Sequence, residues 1–243
     1  MIELTLPQGI LLVDKDSGWT SFDVVAKIRS LTRVKKIGHA GTLDPLASGL
    51  LIVLVGKRFT LLQDQFLKQD KTYYGTAILG LESDTDDILG NLTTSGSWSK
   101  LSQITQDQLI SALQLFVGET DQIPPNYSAI KIKGKKMYDL ARKGQDLPPI
   151  PSRKVKIYSL KLDSFEVDTP KQQINFGFWV SCSSGTYIRS LVRDLGRKLE
   201  VGATLSSLRR TQIGKFDVAA AIKIDELENK LTNQENIFLP DYS

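Results

Sequence analysis

A short apolar run from Ile10 to Val13 behind Gly9 predicts a strand near the start of the chain. Thr20 with Asp23 three positions on makes a capping-box-like start. Behind it Val24, Val25, Ile28 and Leu31 recur at helical spacing, predicting a helix over TSFDVVAKIRSL. Gly38 to Gly49 reads as a glycine-punctuated loop, and the uninterrupted apolar stretch Leu50 to Val55 as a buried strand. Tyr73 to Leu81 predicts a further strand, and Glu82 to Ser99 a long polar connection. Thr105 to Val117 predicts a helix with Leu109, Leu113 and Phe116 on one side. After Pro124 and Pro125 the periodicity fades as far as about Arg153, which predicts a projecting loop with a short helix around Met137 to Arg142. Phe176 to Cys182 reads as a strand. From Thr186, TYIRSLVRDLGRKL gives the clearest helix, with Ile188, Leu191, Val192, Leu195 and Leu199 on its core face. Arg189, Arg193 and Arg197 follow at four-residue intervals along another side. Order is expected to weaken after Ile213. Strands joined by irregular loops, with the helices segregated from them, predict an α+β fold.

Composition narrows the class. With 243 residues, 41% of them hydrophobic and 24% charged, the chain has the make-up of one large globular domain, or one domain with a small appendage. Its longest apolar run, Leu50 to Val55, falls far short of the ~20 residues that cross a bilayer. The first residues carry no secretory pattern, so a cytoplasmic location is expected. Cys182 is the only cysteine and His39 the only histidine, which forbids an internal disulfide or a cysteine-rich metal site; neither zinc nor another metal is expected. The net charge of +4 is mild, but it is regional. Lys131 to Lys161 holds ten basic residues against Asp139 and Asp146, and Lys27 to Lys36 holds five with no acidic one. Either run could be a solvated face, but two of them beside aromatic residues point toward nucleic acid.

Several motifs are absent. In GLLIVLVGKR a Gly-Lys pair stands at Gly56 and Lys57, but Leu51 and Arg58 occupy positions where a phosphate-binding loop needs Gly and Ser or Thr. The cluster of Asp84, Asp86, Asp87 and Gly90 misses the calcium-loop pattern, with Ile88 and Leu89 at a ligand and the glycine position; a turn is the simpler use. What remains is GHAGTLDPLASG. Pro45 pushes Asp44 into extended backbone, holding its carboxylate on a stiffened loop, and the flanking glycines allow close approach of a ligand. An Asp-Pro turn without chemistry explains the same residues. Tyr73, Tyr187 and Arg189 could supply stacking and a counter-charge, or simply pack.

Five segments together carry a resemblance. GHAGTLDPLASGLL around Asp44, DKTYYGTAILGLESDTDD from Asp70, PPNYSAIKIKGKKMYDLARKG from Pro124, SSGTYIRSLVRDLG from Ser183 and LRRTQIG from Leu208 resemble, in order and spacing, the TruB family of tRNA pseudouridine synthases over roughly residues 9 to 215. The resemblance implies a pseudouridine synthase fold, with a mixed, largely antiparallel central sheet, flanking helices and a basic RNA-covering loop. It also implies isomerisation of uridine at position 55 of the tRNA T loop, without metal or cofactor. Asp44 would be the essential carboxylate, acting as nucleophile or base, and Arg189 the cation that keeps it ionised. Tyr73 would stack on the flipped base and help remove the C5 proton. Tyr187 and Leu208 would line the pocket, and His39 would fill the gap the base leaves in the RNA loop. Lys131 and Lys133, in the basic segment of residues 124–153, would meet phosphates.

The chain departs from the family pattern at GKRFT, where Lys57 and Arg58 are displaced and Thr60 stands at the position of a usual lysine. The resemblance implies a catalytic domain over residues 1–215; a second departure is expected in residues 216–243, an acidic helical tail where full-length bacterial relatives usually carry a C-terminal RNA-binding domain of the PUA type. The expected partner is the T stem-loop of tRNA and the expected state a monomer. A non-catalytic RNA-binding or RNA-folding protein is the competing reading; Asp44 together with Arg189 weighs against it. An enzyme acting on a small anionic metabolite fits less well, because the basic residues spread over more than one segment.

Overall fold

The computed structural model describes residues 8–128, 131–132, 135–137, 148–233 and 235–239. Its strands, in chain order, are β1 (Gly9–Lys15), β2 (Ile37–Ala40), β3 (Ser48–Val55), β4 (Lys71–Leu79), β5 (Leu81–Ser83), β6 (Leu92–Thr94) and β7 (Gly118–Gln122). There follow β8 (Lys131–Ile132), β9 (Lys135–Lys136), β10 (Arg153–Asp168), β11 (Gln173–Cys182), β12 (Ala203–Ile213), β13 (Phe216–Asp217) and β14 (Ile222–Lys223). The chain forms two compact units, one of Met1–Tyr73 with Leu208–Ser243 and one of Tyr74–Ser207. Among the described residues no helix is long and apolar enough to cross a membrane.

In the first unit the strand order is β14-β1-β3-β12. β3 lies antiparallel to β1 from Leu50↔Asp14 to Val55↔Gly9, and antiparallel to β2 from Ile52↔Ala40 to Val55↔Ile37. Its first residues pair in parallel with β12, Ser48 with Arg209 and Gly49 with Arg210. Alternate residues of β1 and β3 feed two separate cores. Leu11, Val13, Leu51, Val53 and Val55 pack with Val24, Val25 and Ile28 of the helix Ser21–Thr32. Ile10, Leu12, Leu50, Ile52 and Leu54 pack with Phe66, Ile213 and Phe216. Cores on both faces are why Leu50 to Val55 reads as one apolar run instead of an alternation.

The helix begins as its cap foretells. The Thr20 side chain accepts from the Asp23 N–H, and Asp23 accepts in return from the Thr20 N–H. Packing continues past Ile213, where order was expected to weaken: among the described residues Ile224, Leu227 of the helix Glu226–Thr232, and Ile237 are buried in the first of these cores. Those three apolar side chains are spaced too irregularly among acidic residues to announce themselves in the sequence.

The second unit carries the order β4-β11-β10-β7, with β10 antiparallel to both of its neighbours. Phe176, Phe178, Leu160, Leu113, Leu191 and Leu195 converge where the helices Gln106–Gln114 and Ile188–Leu199 cover one face of these strands. Mixed sheets with segregated helices confirm the α+β expectation. Details differ. The helix predicted to run to Val117 stops at Gln114, because Gly118 (φ 109°) turns the chain into β7, so Phe116 lies beyond the helix. Gly80 (φ 96°) ends β4 at Leu79 instead of Leu81. The connection read from Glu82 to Ser99 contains the β5–β6 hairpin and the short helix Trp98–Leu101. β10, sixteen residues long, shows no unbroken apolar signal because lysines and acids occupy its solvent side. In the basic segment, β8 and β9 pair as a hairpin; Lys133 and residues 138–142 of the short helix expected there lie outside the described residues.

Candidate active site

Residues 41–47, between β2 and β3 of the first unit, carry Asp44. The loop is fastened along its length. The Asp44 carbonyl accepts from the Ala47 N–H (3.0 Å), the Pro45 carbonyl from the Gly18 N–H (2.8 Å), and the Leu46 carbonyl from the Ser17 hydroxyl (3.0 Å). The Ser21 hydroxyl, at the start of the first helix, accepts from the Leu43 N–H (2.9 Å) and donates to the Leu43 carbonyl (3.2 Å). The residue before Asp44 is therefore pinned at both its backbone groups. Beneath it Arg210, 1% exposed, donates from Nε to the Leu50 carbonyl (2.8 Å) and from Nη2 to the Gly41 carbonyl (2.9 Å), bridging the two ends of the loop. A Cβ on Gly49 (φ 101°) would lie 2.2 Å from the Arg210 carbonyl oxygen, so this glycine serves the approach of β12 and not of a ligand.

Asp44 itself is half-buried. Close by, the fully buried Lys15 donates from Nζ to the carbonyls of Asp16 (2.8 Å) and Trp19 (2.7 Å). Burial brings the Lys15 ammonium down to a pKa of about 8, against the upward pull of the Asp16 and Asp44 carboxylates, while Arg210 adds a smaller downward push. The loop thus carries its carboxylate on a backbone tied down at several points, with the buried Lys15 and Arg210 in the same unit. Lys15 and Arg210 were not singled out from the sequence, although Arg210 stands within LRRTQIG. A lone lysine ending an apolar strand was the available signal for Lys15.

The other predicted residues of the first unit lie on adjoining strands. His39, on β2, is half-buried, with its carbonyl accepting from Gln63 Nε2 (2.8 Å). Its ring stands edge-to-face with Phe22, centroids 5.6 Å apart at 85°. Nδ1 is buried and has no hydrogen-bond partner among the described residues. Burial, helped by Arg210, lowers the imidazole pKa and favours the neutral ring. Leu208, half-buried on β12, precedes Arg209, which grips Asp14 in a two-pronged contact at 2.9 and 2.7 Å. The Thr211 hydroxyl donates to the Thr72 carbonyl (3.2 Å), tying β12 to the residue before Tyr73, which lies on the buried face of β4.

Tyr187 and Arg189 belong to the second unit. Tyr187 precedes the helix Ile188–Leu199; its N–H and carbonyl are held by the Gln122 side chain at 2.8 and 3.0 Å, and the Arg153 guanidinium lies 4.5 Å over its ring. Arg189, buried, donates to the carbonyls of Thr85 (2.9 Å) and Tyr127 (3.1 Å) and stands 3.6 Å from Asp87. One helical turn on, Arg193 reaches Asp86 (2.9 Å), Asp194 (2.9 Å) and the Ile123 carbonyl (2.8 Å). The arginine stripe is therefore not a solvated face: two of its members clamp the acidic turn of residues 84–87 that the sequence left as a bare turn. Asp84 closes that turn on Asn91, at 2.8 Å to both its N–H and its amide. Lys154 and Lys156 stand directly across β10 and β7 from Asp121 and Glu119, which offsets part of the basic run. Lys131 sits in β8.

Comparison with known proteins identifies the family. Residues 29–188 match the TruB family pseudouridylate synthase N-terminal domain, and residues 189–240 match the tRNA pseudouridylate synthase B C-terminal domain. The chain is 42% identical over 225 residues to tRNA pseudouridine synthase B of Trichormus variabilis, covering 92% of this chain and 73% of that one. It is 41% identical over 244 residues to the protein of the same name from Oenococcus oeni, covering 97% and 80%. Among solved structures, a Cbf5-Nop10-Gar1 complex contains a chain similar at a TM-score of 0.70 and 29% identity over 95% of this chain. A second similar chain, at a TM-score of 0.68 and 27% identity over 98% of this chain, comes from an H/ACA ribonucleoprotein bound to a substrate RNA. The chain spans 56% and 59% of the length of these two structural relatives. With the two family models matching residues 29–188 and 189–240 and relatives 41–42% identical over more than nine-tenths of its length, the chain belongs to the TruB family of tRNA pseudouridine synthases.

Proposed function

We propose that the protein converts uridine to pseudouridine at position 55 of the tRNA T loop, with Asp44 as the carboxylate that acts on the nucleoside. The observation that carries this reading is the fixation of the Asp44 loop: Leu43 is held at both backbone groups by Ser21, and the loop ends are bridged by the buried Arg210. Such a scaffold is spent on a group that must be placed to a fraction of an ångström. In the reaction the N1–C1′ bond breaks, the uracil turns, C5 bonds to C1′, the C5 proton leaves and N1 gains one. A carboxylate beside the sugar serves the first step as nucleophile or base.

By the family resemblance Arg189 takes the cationic role, Tyr73 the stacking and proton-removing role, and Tyr187 and Leu208 each a contact with the flipped base. The neutral His39 ring fills the space the flipped base leaves in the RNA, which an uncharged ring does at lower desolvation cost than an imidazolium. Lys131 and Lys133 meet phosphates of the T stem-loop. The test is release of tritium from tRNA carrying [5-³H]uridine. The wild-type chain should release it, and Asp44→Asn should reduce turnover at least a thousandfold while tRNA affinity stays within about tenfold, since most binding energy lies in phosphate contacts. Turnover by Asp44→Asn near the wild-type rate would end the assignment.

A further inference from the structure

We propose that Phe22 is an RNA-stacking residue, forming with His39 one aromatic element beside the Asp44 loop that receives an unpaired base of the substrate RNA. The inference rests on reading that loop as the site of uridine chemistry.

Phe22 is 71% exposed, although it sits in the second position of a helix whose neighbouring side chains are all committed. Thr20 and Asp23 close the capping box around it, and Ser21 turns inward to hold Leu43. The cap sets the backbone from which Phe22 projects, and Phe22 is not among the residues packed into the first unit's cores. A phenylalanine left in water forgoes most of the gain that burial would bring, so its ring is available to a partner with a flat apolar face. Its ring contact within the protein is with His39, edge-to-face at 5.6 Å. Because His39 Nδ1 has no hydrogen-bond partner among the described residues, the plane of the imidazole depends on packing, and Phe22 supplies part of that packing.

Charge identifies the partner as RNA. The helix–turn–strand that joins Phe22 to His39 carries Arg29, Arg33, Lys35 and Lys36, all exposed, and no acidic residue after Asp23. Lys27 is set apart from this group by its ion pair with Glu228 at 2.9 Å. Twelve residues of helix extend about 18 Å, so a base stacked at Phe22 and a backbone running along these cations fit one strand of nucleic acid. Stacking of a base on an exposed aromatic ring is the contact such a platform makes, and it tolerates any aromatic side chain but not an aliphatic one.

The experiment compares wild type with Phe22→Ala, Phe22→Leu and Phe22→Trp in the whole chain, by tritium release and by direct tRNA binding. Phe22→Ala should weaken tRNA binding and raise KM by about 5- to 150-fold, with kcat much less affected. Phe22→Trp should restore both values, Phe22→Leu should not, and the thermal midpoint should stay put in all three. An unchanged affinity for Phe22→Ala would overturn the proposal, as would equal rescue by Leu or a loss that tracks a fall in thermal midpoint. Failure of the underlying reading looks different: the wild type then releases no tritium, while the binding series still decides the role of Phe22.

Discussion

Replacing Arg193 with methionine removes one half of a buried ion pair and leaves the other in place. Arg193 and Asp86 are 13% and 12% exposed at the side chain and meet at 2.9 Å. Breaking such a pair from one side costs about 3–5 kcal/mol, because the remaining charge keeps its desolvation penalty without its compensation. The expected loss is at the lower end, about 3 kcal/mol, since the charges of Arg189 and Arg197 also act on Asp86. The Asp194 carboxylate, 3.7 Å from Arg197, also keeps a cation nearby.

The same loss has a signed dependence on pH. Burial already raises the Asp86 pKa in the folded protein, with Arg193 the main opposing influence. Without Arg193 it rises further. A carboxyl with a raised folded pKa favours folding below its unfolded value near 3.9, and that contribution disappears as pH climbs through the folded value. The deficit of Arg193→Met relative to wild type should therefore be largest at neutral pH and shrink as pH falls toward 4. Urea unfolding at pH 7.5 and at steps down to pH 4.5 reads this directly, and adding Asp86→Asn to the variant should recover more than half the loss. A deficit below 1 kcal/mol at neutral pH, or one that stays the same at every pH, would refute the reasoning.

Two further outcomes follow from the first unit. Lys15, brought by burial to about 8 in the fold from the ordinary lysine value of 10.5, binds a proton in the unfolded chain that it lacks in the fold between those values. Stability relative to Lys15→Met should therefore rise by about 3 kcal/mol as pH goes from 8 to 10.5 and be flat below 8, as measured by unfolding of both proteins across that range; a falling difference would contradict the burial of the ammonium. Gly49→Ala should destabilise by roughly 2–5 kcal/mol, combining a positive φ with a Cβ 2.2 Å from the Arg210 carbonyl. It should also reduce tritium release by displacing the Asp44 loop, so an Ala variant with wild-type melting and turnover would show that β12 yields there freely.

The elements whose signal is local were legible in the sequence. The Thr20–Asp23 capping box, the doubly buried run Leu50 to Val55 and the amphipathic helix from Ile188 each depend on residues within a few positions of one another, and each lies where its pattern places it. The five segments around Asp44, Asp70, Pro124, Ser183 and Leu208 were enough to point to the family. What tertiary structure alone decided was which charges face water. Lys15 and Arg210 give no sign of burial in the sequence and are buried, Lys15 held by the nearby carbonyls of Asp16 and Trp19, and Arg210 by those of Leu50 and Gly41, far earlier in the chain. Arg189 and Arg193 read as a basic stripe and instead clamp an acidic turn about a hundred residues earlier in the chain. A hydrophobic period reports on neighbours along a helix or strand. The partner of a buried charge is chosen by chain folding across long separations, and nothing in the local spacing of residues encodes it.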